Sequence, residues 1–168
     1  MITKFRYNGL LSLCKILRMQ ELSEQEIVRR DALKKLEELG IDPYPAAEFP
    51  VNILAADLKK RFANGEELKD VVLAGRMMSS RIMGKASFAE LQDASSRVQI
   101  YIARDEICPD EDKTLYNEVF KKLLDRGDFI GIRGDVFKTQ VGETSIMVKE
   151  LTVLAKSVKP LPVVKTDA

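Results

Sequence analysis

The spacing of apolar residues changes period along the chain, and the change divides it into two parts. Ser23-Glu24-Gln25-Glu26 is a capping box, in which the serine and the second glutamate satisfy each other's free backbone N–H groups. A helix is expected from there to about Leu39, with Gly40 as its stop. Val28, Ala32, Leu36 and Leu39 form one apolar stripe among charged residues, so this helix has one face to bury. Pro43, Pro45 and Pro50 make residues 41–54 a stiff connector. A short helix fits Ala55–Ala63, and Asn64-Gly65 ends it.

From Val71 the period is two. Strands are expected at about Val71–Met83, Ser87–Asp93 and Arg97–Ala103, with turns at Gly84-Lys85-Ala86 and Ser95-Ser96. In the third, Val98, Ile100 and Ile102 alternate with Arg97, Gln99 and Tyr101, the mark of a half-buried strand. A helix over 113–125 follows. Asp110, Glu111 and Asp112 suit its N-terminus, where the dipole favours acids. Leu115, Tyr116, Val119, Phe120, Leu123 and Leu124 line one face, and Gly127 ends it. Strands at about Asp128–Thr139 and Thr144–Ala155 flank a turn at 140–143, and Pro160 and Pro162 mark the exit. Three strands, a helix and two strands is the OB arrangement. The expected fold is mainly β with helices: a five-stranded OB-fold β-barrel with a helix between strands three and four, preceded by an N-terminal helical segment. The expected division is a basic extension at 1–20, the helical segment and connector at 21–66, the barrel at 67–158 and an exit linker at 159–168.

Composition narrows the chemistry. The 168 residues suffice for one domain with a real core plus an appendage. At 45% hydrophobic and 32% charged, the chain reads as globular rather than disordered. The net charge is +1, so a polyanion site has to be local. The first twenty residues hold Lys4, Arg6, Lys15 and Arg18 and no acid. Their apolar run Gly9–Cys14 is too short to span a bilayer. The expectation is a translated upstream stretch with the working start near Met19, against the rival of an organelle-targeting segment. Histidine is absent, which removes histidine acid–base catalysis, Ser-His triads and Cys/His zinc sites. Cys14 and Cys108 form no CxxC pair, which suits a reducing cytoplasm. Gly84-Lys85 is no phosphate loop, because Ser79 and Ala86 stand where that motif needs Gly and Ser or Thr. Asp110, Glu111 and Asp112 lack EF-hand spacing and read as helix capping.

The barrel surface is where function could reside. In strand two Phe88 alternates onto the polar face with Glu90 and Gln92. It serves either as a platform for a stacked base or as a contact for the N-terminal helix. OB-folds bind oligonucleotides across strands two and three and the loops joining strands 1–2 and 4–5. Gln99, on the polar face of strand three, offers both a donor and an acceptor, either to a base edge or to water. A two-residue turn at Ser95-Ser96 pairs Gln99 with Gln92. Phe88 then lies four positions on, about 13 Å away, too far for one base without strong curvature. Arg76, Arg81 and Lys85 suit phosphates. Glu143, in the other binding loop, would accept from a base amino or imino group and so serve specificity.

Several blocks carry a family resemblance. Ala74-Gly75-Arg76-Met77-Met78, Arg81-Ile82-Met83-Gly84-Lys85-Ala86-Ser87-Phe88, Leu91-Gln92-Asp93, Tyr116–Lys122, Phe137–Glu143 and Lys159-Pro160-Leu161-Pro162 resemble the N-terminal anticodon-binding domain of class II lysyl-tRNA synthetases. The likeness runs from about Leu22 to Pro162. It implies a partner, the anticodon stem-loop of lysine tRNA. It implies that Phe88 stacks on the central anticodon base, that Gln99 hydrogen-bonds it and that Glu143 helps to read a neighbour. Arg81 matches a basic position of the signature, whereas Ser80 stands where members often carry another basic or polar residue. It further implies a cytoplasmic, homodimeric parent enzyme that uses ATP and Mg2+ to attach lysine to tRNA. Its catalytic domain would follow the exit linker, and none of its adenylate-binding motifs lies in these residues, so the chain alone is expected to be non-catalytic. Two rivals are a free-standing general single-strand-binding protein and an aspartyl- or asparaginyl-type anticodon-binding domain.

Overall fold

The computed structural model describes residues 22–162. The expectations for residues 1–20 and for the end of the exit linker lie outside the described residues. Five strands, β1 (Val71–Met83), β2 (Ala86–Gln92), β3 (Arg97–Ala103), β4 (Phe129–Lys138) and β5 (Thr144–Ala155), close into a barrel in the order β1-β2-β3-β5-β4. All neighbours are antiparallel except β3 and β5. This is the expected OB-fold. The helices are α1 (Glu24–Glu38), α2 (Ala55–Ala63), a single turn α3 (Arg104–Ile107) and α4 (Leu115–Leu123).

Alternation fills the barrel. Leu73, Met77, Leu91, Val98, Ile100, Ile102, Ile130, Ile132, Ile146 and Val148 are almost wholly buried, each side chain stabilising by about 1.5–3 kcal/mol relative to exposure. α4 plugs one end with Tyr116, Val119, Phe120 and Leu123. The Tyr116 hydroxyl is buried but satisfied, 2.9 Å from the Ser87 hydroxyl and donating to the Gly84 carbonyl at 3.2 Å. α4 starts two residues later than expected and is wound wider than an α-helix, with Leu124 N–H donating to the carbonyl of Val119. α3 has no periodic signal of its own and was not expected.

α1 has its capping box, with Glu26 N–H donating to Ser23 Oγ and Ser23 N–H to the Glu26 carboxylate. Its buried face differs from the expected stripe. Ala32 and Leu36 are buried, but Val28 and Leu39 are 59% and 45% exposed, and Arg29 is buried in their place. The dock is polar: Arg29 donates to the carbonyls of Ser157 at 3.1 Å and Arg126 at 2.9 Å. Beside it lies a buried ion pair. Lys156 Nζ is 2.8 Å from Asp128 and 2.6 Å from Asp125, with the Lys156 and Asp128 side chains fully inaccessible. Asp128 also accepts from the N–H groups of Asp125 and Ser157, so both of its oxygens are engaged. The connector joins the same region through Lys156 N–H to the Pro43 carbonyl and Tyr44 hydroxyl to the Lys156 carbonyl. Further along, Phe49 lies over Gly131, where any Cβ would come within 2.4 Å of its ring.

The β2–β3 connection is built by Asp93. Its carboxylate accepts from Ser95 N–H and hydroxyl and from Ser96 N–H, and its second oxygen accepts from Ala55 N–H at 2.6 Å, the first residue of α2. Burial would raise this carboxyl, but the bonds from Ala55, Ser95 and Ser96 hold it below the ordinary carboxylate range.

Two outcomes are expected. Asp128→Ala leaves Lys156 buried without its partner and lowers stability by about 3–5 kcal/mol in urea unfolding, and adding Lys156→Met restores part of that loss. Additive losses would contradict the coupling. Asp93→Asn costs about 1.5–3 kcal/mol at neutral pH. A carboxyl depressed in the folded state contributes stability above its unfolded pKa and loses it as pH falls through the folded one. The gap between Asp93→Asn and wild type therefore narrows below about pH 4, and a pH-independent gap would show that Asp93 carries no such linkage.

Candidate nucleic-acid interface

A groove of about 1030 Å³ crosses the outer face of β2 and β3, bounded by β1 on one side and by the β4–β5 loop on the other. Phe88, Gln99, Glu143 and Arg81 all line it. Their convergence depends on two local features of the sheet.

The first is a bulge in β1. Val71, Leu73, Gly75 and Met77 point inward, and strict alternation would send Arg81 inward as well. The register with β2 shifts between Met77 and Ser79, so Met77 opposes Leu91 but Ser79 opposes Glu90. The extra residue, Met78, reverses the parity of everything after it. Arg81 thus stands opposite Phe88 on the outer face.

The second is the Asp93–Ser96 turn. It is two residues longer than expected, and this corrects the register: Gln92 opposes Arg97, Glu90 opposes Gln99 and Phe88 opposes Tyr101. Gln99 is therefore a diagonal neighbour of Phe88, at about 7–8 Å rather than 13 Å. One planar base can reach both without unusual curvature. Phe88 does not serve the N-terminal helix, which packs on α4. Its ring is 5.0 Å from Tyr101, and Tyr101 is 6.2 Å from Phe137 in an edge-on contact. The three rings form an aromatic ledge.

Polar groups are placed around the ledge. Ser145 hydroxyl donates to Gln99 Oε1 at 2.8 Å, so the carboxamide has its NH2 to offer a ligand. Glu143 closes a tight loop in which Thr139 N–H donates to its carbonyl at 2.9 Å and its own N–H donates to Thr139 Oγ1 at 3.0 Å. Gly142, at φ +89°, makes that loop possible. Val141 at the loop tip is 91% exposed beside the groove, an apolar group placed for a ligand to cover. Arg97 donates to Gln92 at 3.0 Å and lies 3.4 Å from Glu90.

Two expected residues are elsewhere. Arg76 lies where β1 passes from β4 to β2, its guanidinium 4.4 Å above the Phe129 ring and donating to the Gly127 carbonyl. Lys85 sits in a turn held on the α3 and α4 side, with Arg104 N–H donating to its carbonyl and Lys121 bonding the adjacent Gly84 carbonyl. The groove also takes in Tyr101, Phe137, Glu90, Arg97 and Lys59, which sequence reading did not single out. Tyr101 carried the same signal as Phe88, an aromatic on the polar side of an alternating strand. Lys59 carried none, because only the packing of α2 brings it there.

The barrel itself has counterparts among known proteins. A family model described as an OB-fold nucleic acid binding domain matches residues 71–154. Among curated relatives, a lysine–tRNA ligase of Porphyromonas gingivalis is 61% identical over 148 residues, covering 86% of this chain and 25% of that protein. The lysine–tRNA ligase of Christiangramia forsetii is 58% identical over 149 residues, covering 89% and 26%. That of Streptococcus suis is 42% identical over 149 residues, covering 85% and 29%. The chain spans about a quarter of the length of the curated relatives it matches.

Proposed function

The chain belongs to the family of OB-fold nucleic acid binding domains, and from that premise we propose that its groove reads the anticodon loop of lysine tRNA. The observation that carries this reading is the diagonal placement of Phe88 and Gln99 on one face. Single-stranded RNA is recognised by bases splayed onto aromatic rings and hydrogen-bonded along their edges. A base laid on Phe88 meets the Gln99 NH2, which donates to a carbonyl oxygen such as uracil presents. Cytosine would offer an amino donor at that edge and meet another donor. Glu143 accepts from an amino or imino group of a neighbouring base, and Arg81 draws in a backbone phosphate. Ser80 supplies a hydroxyl where a basic residue would add a second charge, so Arg81 acts with less help there. Glu90 and Glu143 in the groove count against binding by charge alone.

In this reading the chain is the N-terminal part of a class II lysine–tRNA ligase, a cytoplasmic homodimer whose remaining residues use ATP and Mg2+ to activate lysine and attach it to tRNA. Among the described residues no three Asp, Glu, Cys or His side chains gather as a metal site, and no residue here is assigned to ATP or Mg2+. Among the same residues no helix is long and apolar enough to cross a membrane. The part described here binds tRNA and leaves the charging step to the rest.

The reading is tested by titrating the chain with a lysine anticodon stem-loop and with one whose central base is changed. The matched loop is expected to bind more tightly by about 1–3 kcal/mol, and equal affinities would remove the specificity. Phe88→Ala is expected to cost about 1–3 kcal/mol of binding while the barrel melts as before. Unaltered affinity in that variant would remove the stacking role.

A further inference from the structure

Only one side chain from outside the barrel strands and their loops lines the groove among the described residues: Lys59 of α2. Its place is fixed from two sides. Ala55 N–H donates to Asp93 at 2.6 Å and Ala56 N–H to Ser95 Oγ at 3.0 Å, which bolts the first turn of α2 to the β2–β3 turn. Ala55 and Leu58 are fully buried against the core. Lys59 follows Leu58 at the edge of that buried face, half-buried itself, where α2 packs on β3. A lysine in this position covers apolar surface with its stem and keeps its ammonium free.

The groove is thereby polarised. The aromatic ledge lies at the Phe88 and Tyr101 end. Arg97, four residues along β3 from Tyr101 and so about 13 Å away, lies at the other, with its charge offset by Glu90 at 3.4 Å. Among the described residues, Arg81 and Lys59 are the groove cations that take part in no ion pair. One stands beside Phe88 across the β1–β2 ladder, and the other stands beyond Gln99 toward α2.

Taking the groove as an RNA site, we propose that Lys59 is a second phosphate anchor, whose ammonium binds a backbone phosphate flanking the stacked base on the side away from Arg81. The strand then crosses from β1 over Phe88 and Gln99 and leaves along β3 toward α2. The bases face the ledge and the two carboxylates, and the phosphates meet the two free cations. α2 becomes part of the binding surface, and the Asp93 turn sets both the Phe88–Gln99 register and the position of Lys59.

The test uses the 168-residue chain, the variants Lys59→Gln, Lys59→Arg and Phe88→Ala, and the lysine anticodon stem-loop between 50 and 200 mM salt. Loss of one phosphate contact lowers the slope of log K against log salt by about 0.7, so the wild-type advantage over Lys59→Gln shrinks by about 2.6-fold across that range. Lys59→Arg keeps the wild-type slope. Replacing single phosphates by neutral methylphosphonates weakens wild-type binding at one linkage, and that same linkage costs Lys59→Gln nothing further. An unchanged slope, or a methylphosphonate loss that adds in full to that of Lys59→Gln, overturns the proposal. Phe88→Ala separates the two levels: it weakens binding at unchanged slope if the groove holds RNA. If the wild-type chain does not bind the stem-loop at any salt concentration, the RNA reading has failed and the Lys59 proposal falls with it.

Discussion

Closure of the barrel rests on β1, which is hydrogen-bonded along both of its edges. Residues Val71–Arg76 pair with β4, and Arg76–Met83 pair with β2. Thirteen residues must therefore cross from one side of the barrel to the other while keeping apolar side chains inside. Met78 reconciles these demands. Before it, alternate residues fill the core, and after it the parity is reversed and Arg81 faces outward. Without the bulge, either Arg81 would turn away from the groove face or the register with β2 would slip and take Phe88 with it. The free edge of β1 near Val72 is covered by the connector, through Val72 N–H to Asn52 Oδ1 and Asn52 N–H to the Val72 carbonyl.

The seam where β4 begins and β5 ends is polar. A buried ion pair of this kind contributes little net stability, since desolvation offsets its Coulomb attraction. Its effect is to admit one arrangement. Asp128 accepts from two backbone N–H groups as well as from Lys156, and the neighbouring carbonyls of Arg126 and Ser157 take up Arg29. Helix, connector and both strand ends thus converge on one set of directional bonds, while the apolar barrel interior sets how much surface is buried.

Much of the architecture is legible in residue order. The bounds of β1, β3 and β5 were marked by the turn residues that flank them, and β3 alternates cleanly along its whole length. The capping box marked the start of α1. Three things were hidden for physical reasons. The bulge at Met78 leaves the composition of β1 unchanged and exists only relative to a partner strand. The length of the β2–β3 turn depends on side-chain bonds of Asp93, which spacing does not encode. The buried face of α1 is set by a polar dock, so a search for an apolar stripe selected Val28 and Leu39 instead of Arg29. In the groove, Phe88 and Gln99 could be placed from alternation, Glu143 from its loop and Arg81 from resemblance alone. Arg76 and Lys85 share their charge but not their location, which depends on Phe129 and on the helices packed around the turn.

The clamp on Arg29 also imposes an order in time. Its two acceptors lie 97 and 128 residues further along the chain. During synthesis from the N-terminus, at about 5–20 residues per second, α1 leaves the ribosome on the order of ten seconds before its dock exists. A fifteen-residue helix is marginal on its own over that interval. The capping box needs nothing from downstream, so it can favour the helical turn while the dock is still unmade. The first of the described helices to be made is thus among the last parts to be seated, and its exposed Ile27, Val28 and Leu39 face outward after Arg29 has found its place.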